Sequence, residues 1–182
     1  MSTILVNEQG ITRFLQRLGR CYRYAGAVYL VGGSSLLLVA AKESTFDIDL
    51  KAEIAPEHHS EFVRCLRQVS RELQYAVEQA SPDQFIPLPA GYLERCAFIG
   101  RFGMLDVFHF DFYSVALSKL HRGNEKDFND VTNMLNQKII EFAQLEQYFQ
   151  EILPRYEDLL SADPDAYNAK FSFFKASYFR PS

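Results

Sequence analysis

The chain has 182 residues, 48% hydrophobic and 14% aromatic, with a formal net charge of −4. That length holds one good-sized core with a helical appendage, and the acidic balance excludes a globally basic nucleic-acid binder. No apolar run approaches the ~20 residues of a membrane-spanning helix, and Met1-Ser2-Thr3-Ile4-Leu5-Val6 has no basic region before an apolar core, so a secretory leader is not expected. The expectation is a soluble, cytoplasmic protein with no membrane partner. Cys21, Cys65 and Cys96 are odd in number and widely spread, which predicts reduced, mostly buried thiols rather than a disulfide framework or a zinc knuckle.

In chain order, Thr12 to Tyr24 reads as a helix with Phe14, Leu15, Leu18 and Cys21 on its apolar stripe and Thr12 as its cap. Arg13, Arg17 and Arg20 share the opposite face, and with Arg23 they read as a solvated surface in preference to an RNA contact. Val28 to Val31 is a short buried strand. Gly32-Gly33 turns tightly, Ser34 opens a helix to about Ala41, and Phe46 to Lys51 is a second strand. Pro56 suits the first turn of a third helix reaching about Leu73, with Phe62, Leu66, Val69 and Leu73 on its buried side.

Tyr75 to Ala80 predicts a strand, Ser81-Pro82-Asp83 a turn, and Phe85-Ile86-Pro87 an extended piece. Cys96 to Arg101 and Met104 to Phe110 predict a hairpin that turns at Phe102-Gly103. Helices follow: one capped by Ser114 and ending near Gly123, one capped by Asn124, a longer one from Ile139 to about Leu160 bent or broken at Pro154, and a last one opened by Asp163-Pro164. The aromatic tail Phe171, Phe173, Phe174, Tyr178, Phe179 is expected to pack on the domain or on a second subunit. The order predicts an α/β (α+β) protein: a mixed sheet flanked by helices over residues 1–112, then a helical part over 113–182 packed on it.

The chemistry concentrates between Gly32 and Asp49. On a strand, residues i and i+2 point to one face, so Asp47 and Asp49 project together while Ile48 and Leu50 anchor in the core. Two neighbouring carboxylates repel and resist desolvation unless a cation lies between them, and a divalent metal is the natural solution. Upstream, strand–Gly-Gly-Ser–helix offers backbone N–H groups to a phosphate, with Gly33 permitting close approach and Ser34 able to cap or donate. His58, His59, His109 and His121 show no metal-ligand spacing, so no zinc site is expected.

Val31-Gly32-Gly33-Ser34-Ser35 with Asp47-Ile48-Asp49-Leu50 resembles the signature of the polymerase-beta-type nucleotidyltransferase superfamily. Downstream, Ala116-Leu117-Ser118-Lys119-Leu120-His121-Arg122 and Lys126-Asp127-Phe128-Asn129-Asp130-Val131 resemble the lysine helix and the following acidic helix of its small bacterial branch. Relatives of that type include toxins of abortive-infection and toxin–antitoxin systems. The resemblance implies the nucleotidyltransferase fold and a two-metal transfer of a nucleoside monophosphate from a triphosphate to an acceptor hydroxyl. The acceptor would be RNA (tRNA, for example), a protein or a small molecule. It implies Mg²⁺ or Mn²⁺ on Asp47 and Asp49, and a third carboxylate on a later strand. Asp106 has the most suitable setting for that third acid; Asp111, Asp83 and, more weakly, Glu78 are alternatives. It also implies that Lys119 contacts the triphosphate, where Arg122, three residues on and nearly on the same face, can assist; Asp127 and Asp130 share a face at i, i+3, a spacing that suits orienting Lys119 or Arg122 through salt bridges more than binding metal. A homodimer or an antitoxin partner is compatible with it, as is a non-catalytic binding module that keeps the fold.

Overall fold

The computed structural model describes residues 4–159 and 162–180. The expectations placed on Met1 to Thr3 and on a helix end at Leu160 lie outside them. The chain forms two compact units, Met1–Ser81 with Cys96–Phe110, and Pro82–Arg95 with Asp111–Ser182.

The first unit contains α1 (Glu8–Cys21), β1 (Gly26–Leu30), α2 (Gly32–Leu38), β2 (Asp47–Ile54), α3 (His59–Leu73), β3 (Ala76–Gln79), β4 (Ala97–Phe102) and β5 (Leu105–His109). The five strands make one mixed sheet in the order β3-β2-β1-β5-β4. β1 runs antiparallel to β2 and parallel to β5, β2 is parallel to β3, and β4 is antiparallel to β5. Strand alternation gives the sheet two unlike faces. On one, Val28, Leu30, Ile48, Leu50, Leu105 and Val107 pack with Phe14 and Leu18 of α1 and with Phe62 and Val69 of α3. The other carries Tyr29, Asp47, Asp49 and Phe108, and there Tyr29 stacks on Phe108 at 5.3 Å.

Three local expectations are corrected here. α1 begins four residues before Thr12 because Asn7 is its cap, accepting from Gly10 N at 2.9 Å, while Thr12 Oγ1 donates to Glu8 O. α2 begins at Gly32, not Ser34; Gly32 takes φ +56°, a left-handed conformation glycine adopts without strain. Cys21 and Cys65 are joined as a disulfide, with Cα atoms 5.6 Å apart, rather than standing as reduced thiols. The packing of α1 on α3 brings together two cysteines 44 positions apart, which sequence spacing does not reveal.

The second unit contains α4 (Phe112–Arg122), α5 (Glu125–Asn136), α6 (Phe142–Glu157) and α7 (Pro164–Tyr178). Asp111, not Ser114, caps α4, accepting from Tyr113 N and Ser114 N, and Gly123 closes it at φ +69°. Asn124 and Asp163 cap α5 and α7 as their sequences predict. Pro154 lies inside α6. Phe85-Ile86-Pro87 is not a strand; it follows a 3-10 turn at Pro82–Gln84. The aromatic tail packs within this unit: Phe171 stacks on Phe149 at 4.0 Å, and Phe174 lies 5.6 Å from Phe128, whereas Phe173 and Phe179 stay exposed. Among the described residues no helix is long and apolar enough to cross a membrane.

Candidate active site

Asp47 and Asp49 stand on β2 with Ile48 and Leu50 fully buried between and beyond them, so both carboxylates emerge on the face away from α1 and α3. Parallel pairing with β3 sets Asp47 beside Ala76 and Asp49 beside Glu78. In a parallel pair, facing residues share a side. Asp47, Asp49 and Glu78 therefore converge, each offering a carboxylate oxygen within 4.8 Å of the others. The two aspartates are half-buried and Glu78 is exposed. Among the described residues neither Asp47 nor Glu78 is in an ion pair. Three crowded carboxylates of this kind form an oxygen-donor set suited to a hard divalent cation.

The glycine turn adjoins this group. A Cβ on Gly32 would sit 3.0 Å from Asp49 Oδ2, so the bare backbone there leaves the carboxylate its place. Thr45 fills the side-chain space of Gly33: a Cβ there would come 2.6 Å from Thr45 Oγ1. Thr45 in turn donates to Asp47 Oδ1 at 3.3 Å. The fully buried Ser34 hydroxyl accepts from Asp49 N at 2.9 Å. Val31 N donates to Asp49 O at 3.0 Å. Gly33 and Ser34 fasten α2 to β2 and help fix the two aspartates. Behind them Ser35 Oγ and His109 Nδ1 are hydrogen-bonded at 2.7 Å, and burial holds the His109 imidazole below its ordinary pKa.

The third acid is the main departure from expectation. Asp106 faces Ala27 across β1, whereas Val31 faces Asp49, four residues further along the strand. At ~3.3 Å per residue that is ~13 Å of strand, too far for a shared ion. Asp106 instead holds Arg101 through both oxygens, at 2.6 and 2.9 Å, and that pairing draws its carboxyl below the usual range. Asp111, in the second unit, is fully buried, caps α4 and binds Arg95 at 3.0 and 2.9 Å. Asp83 lies in the 3-10 turn of that unit. Glu78, the weakest of the sequence candidates, is the acid that stands beside Asp47 and Asp49. The signal for it is the parallel register of β3, which depends on the α3 crossover and not on local pattern.

Lys119 is 4% exposed, its Nζ lying 3.2 Å from Asp127 Oδ1 and 2.7 Å from Asp130 Oδ2. Arg122 binds Asp127 at 3.0 and 2.7 Å. Burial pushes the Asp127 carboxyl up, but Arg122 and Lys119 outweigh it and hold the group below the usual carboxylate range. Asp127 and Asp130 orient the two cations, as the spacing suggested. The Lys119 charge expected at a triphosphate is matched by two carboxylates of its own unit.

The model of a family described as nucleotidyltransferase of unknown function (DUF6036) matches residues 11–177. No curated protein and no solved structure matches the chain.

Proposed function

The chain belongs to this nucleotidyltransferase family, and on that footing we propose that it transfers a nucleoside monophosphate from a nucleoside triphosphate to an acceptor hydroxyl, with Asp47, Asp49 and Glu78 as its metal-holding acids. The observation that carries the reading is the convergence of these three carboxylates beside the Gly32 turn. The donor set fits Mg²⁺ or Mn²⁺: three carboxylates, two of them half-buried. Such ions, when bound, supply Lewis-acid stabilisation of the reacting phosphate and lower the pKa of a coordinated hydroxyl.

The chain's own residues do the positioning. Thr45 fixes the Asp47 carboxylate, the Ser34 hydroxyl and Val31 N–H fix the backbone of Asp49, and Gly32 leaves room against the Asp49 oxygen. Carboxylates fixed in this way need little rearrangement when charge develops. Glu78, exposed on the outermost strand, has open solvent through which an acceptor can approach. It is the group placed to accept the acceptor's hydroxyl proton.

The test pairs binding with chemistry. Calorimetry is expected to show Mg²⁺-dependent triphosphate binding that disappears with EDTA and in Asp47→Ala with Asp49→Ala. Incubation with α-labelled triphosphates, Mg²⁺ and cell extract is expected to label one acceptor class in an Asp47-dependent way. Binding indifferent to EDTA, or labelling that survives the double substitution, overturns the assignment. The affiliation with toxin–antitoxin systems rests on the Lys119 to Asp130 resemblance alone. It predicts growth arrest on expression of the parent and none with the double variant.

A further inference from the structure

α1 and the turn after it carry four arginines, Arg13, Arg17, Arg20 and Arg23, against one acid, Glu8. α3 adds Arg64, Arg67 and Arg71, all exposed, against two acids, Glu61, which pairs with Arg64, and Glu72; neither helix contains a lysine. The disulfide ties the two helices side by side, and Arg64 Nη2 lies 3.8 Å from Cys21 Sγ, so Arg64 borders the seam between them. An open groove of about 970 Å³ runs along α3 and is lined by that helix alone, by Arg64, Arg67 and Arg71 with His59, Gln68 and Glu72 among others.

The charges here are unlike those elsewhere. Arg95, Arg101, Arg122 and Arg155 each hold a carboxylate. Arg101 does so with its side chain 68% exposed, so exposure alone does not prevent pairing. Among the described residues, Arg13, Arg17, Arg20, Arg23, Arg67 and Arg71 form no ion pair. Six unmatched guanidinium groups on one two-helix surface of a chain with net charge −4 are a concentration of positive field without an internal partner.

We propose that this α1–α3 surface binds the phosphodiester backbone of double-helical RNA. Arginine presents a planar fork that matches phosphate oxygens two at a time. A 14-residue helix spans ~21 Å, so the array suits a line of phosphates and not a single nucleotide. No large hydrophobic side chain is exposed on α1 or α3, and Tyr24 of the turn after α1 stacks on His58 at 3.8 Å, so the two helices lack the apolar wedge a membrane-surface helix needs. Of the residues lining the groove one, His59, carries a ring, against three arginines, so the surface offers charge for a phosphate backbone more than a platform for unpaired bases. Ser60 on this face provides a hydroxyl for 2′-hydroxyls, which separate RNA from DNA. α3 leads through Gln74 and Tyr75 into β3, the edge strand that carries Glu78, while the carboxylates of the site emerge on the sheet face away from α1 and α3. That RNA is also the acceptor rests on the proposed activity; the binding itself does not.

The experiment is fluorescence anisotropy with a labelled RNA hairpin, a DNA hairpin of the same sequence, and phosphatidylserine vesicles, from 50 to 300 mM salt. The parent is expected to bind RNA with a log–log salt slope of about −5 and to prefer RNA to the other two. Arg13→Gln/Arg17→Gln/Arg20→Gln and, separately, Arg67→Gln/Arg71→Gln are expected to flatten that slope by about 1 per arginine. The five substitutions together should weaken binding about a hundredfold or more at 100 mM salt. Unchanged melting serves as the folding control for these exposed positions. Mg²⁺-dependent triphosphate binding should survive in the same variants; if it is missing from the parent while RNA binding stands, the active-site reading falls and this surface does not. No RNA binding at 50 mM salt, equal affinity for DNA, preference for vesicles, or parental affinity in the fivefold variant overturns the proposal.

Discussion

Replacing Lys119 by Met removes the ammonium that lies 3.2 Å from Asp127 and 2.7 Å from Asp130 while keeping most of the stem. The three side chains are 5%, 5% and 7% exposed, so water does little to replace the lost charge. Removing one partner of a buried ion pair costs ~3–5 kcal/mol, because the remaining charge stays desolvated. Asp127 keeps Arg122 and the Asn124 amide at 2.7 Å, which places the expected loss near the low end, about 3 kcal/mol. With a urea dependence of ~1–3 kcal/mol per molar, the midpoint should fall by about 1 M or more. The chain has no tryptophan, so circular dichroism and fluorescence of its 10 tyrosines are the probes. Arg122→Met, at a side chain 43% exposed, should cost only about 1 kcal/mol. Adding Asp130→Leu to Lys119→Met removes a carboxylate that has lost its Lys119 contact and should restore part of the loss. A parental urea midpoint in Lys119→Met refutes the reasoning. Weakened triphosphate binding in that stably folded variant would make Lys119 a ligand instead.

Three other outcomes follow from the geometry. Glu78→Gln should cut nucleotidyl transfer by about a hundredfold or more, while Asp106→Asn, which only frees Arg101, should leave it near parental; the reverse order in a labelled-triphosphate assay would return Asp106 to the site. Cys21→Ser with Cys65→Ser opens a covalent loop of 44-residue separation, for which chain entropy gives a loss of about 4 kcal/mol, read as a lower urea midpoint under oxidising conditions; equal midpoints for parent and variant would show that the bond contributes nothing. Burial lowers the pKa of His109, so the unfolded chain takes up a proton near pH 6.5 where the folded one resists. Stability should therefore rise with pH below about 6.5 and level off above it, and His109→Asn should shrink that slope, leaving the part owed to His121, whose pKa is lowered by burial and by Lys170 and Arg122. A slope unaltered in His109→Asn would remove His109 from the account.

Local pattern alone determined much of this protein. The two-residue period of a strand put Asp47 and Asp49 on one face and Ile48 and Leu50 in the core. Helical stripes such as Phe62, Leu66 and Val69 identified the buried sides, and Asn124, Asp163 and Gly123 marked helix ends. Asp127 and Asp130 were legible as partners of Lys119 because three-residue spacing sets them on one helical face. What local pattern could not supply was register and packing between distant segments. Glu78 joins the aspartates only because β3 pairs parallel to β2 with Asp49 opposite it, and a shift of one residue would turn its side chain away. Asp106 looked suitable because its strand suits a ligand, but the β1–β5 register sets it at the far end of the strands. Cys21 meets Cys65, and the arginines of α1 gain those of α3 beside them, through the burial of two apolar helix faces on one sheet. Alternation and helical period are properties of a few consecutive residues. Which acid, thiol or guanidinium lies next to which is decided by hydrogen-bonded ladders and by a shared core, contributed by residues dozens of positions apart.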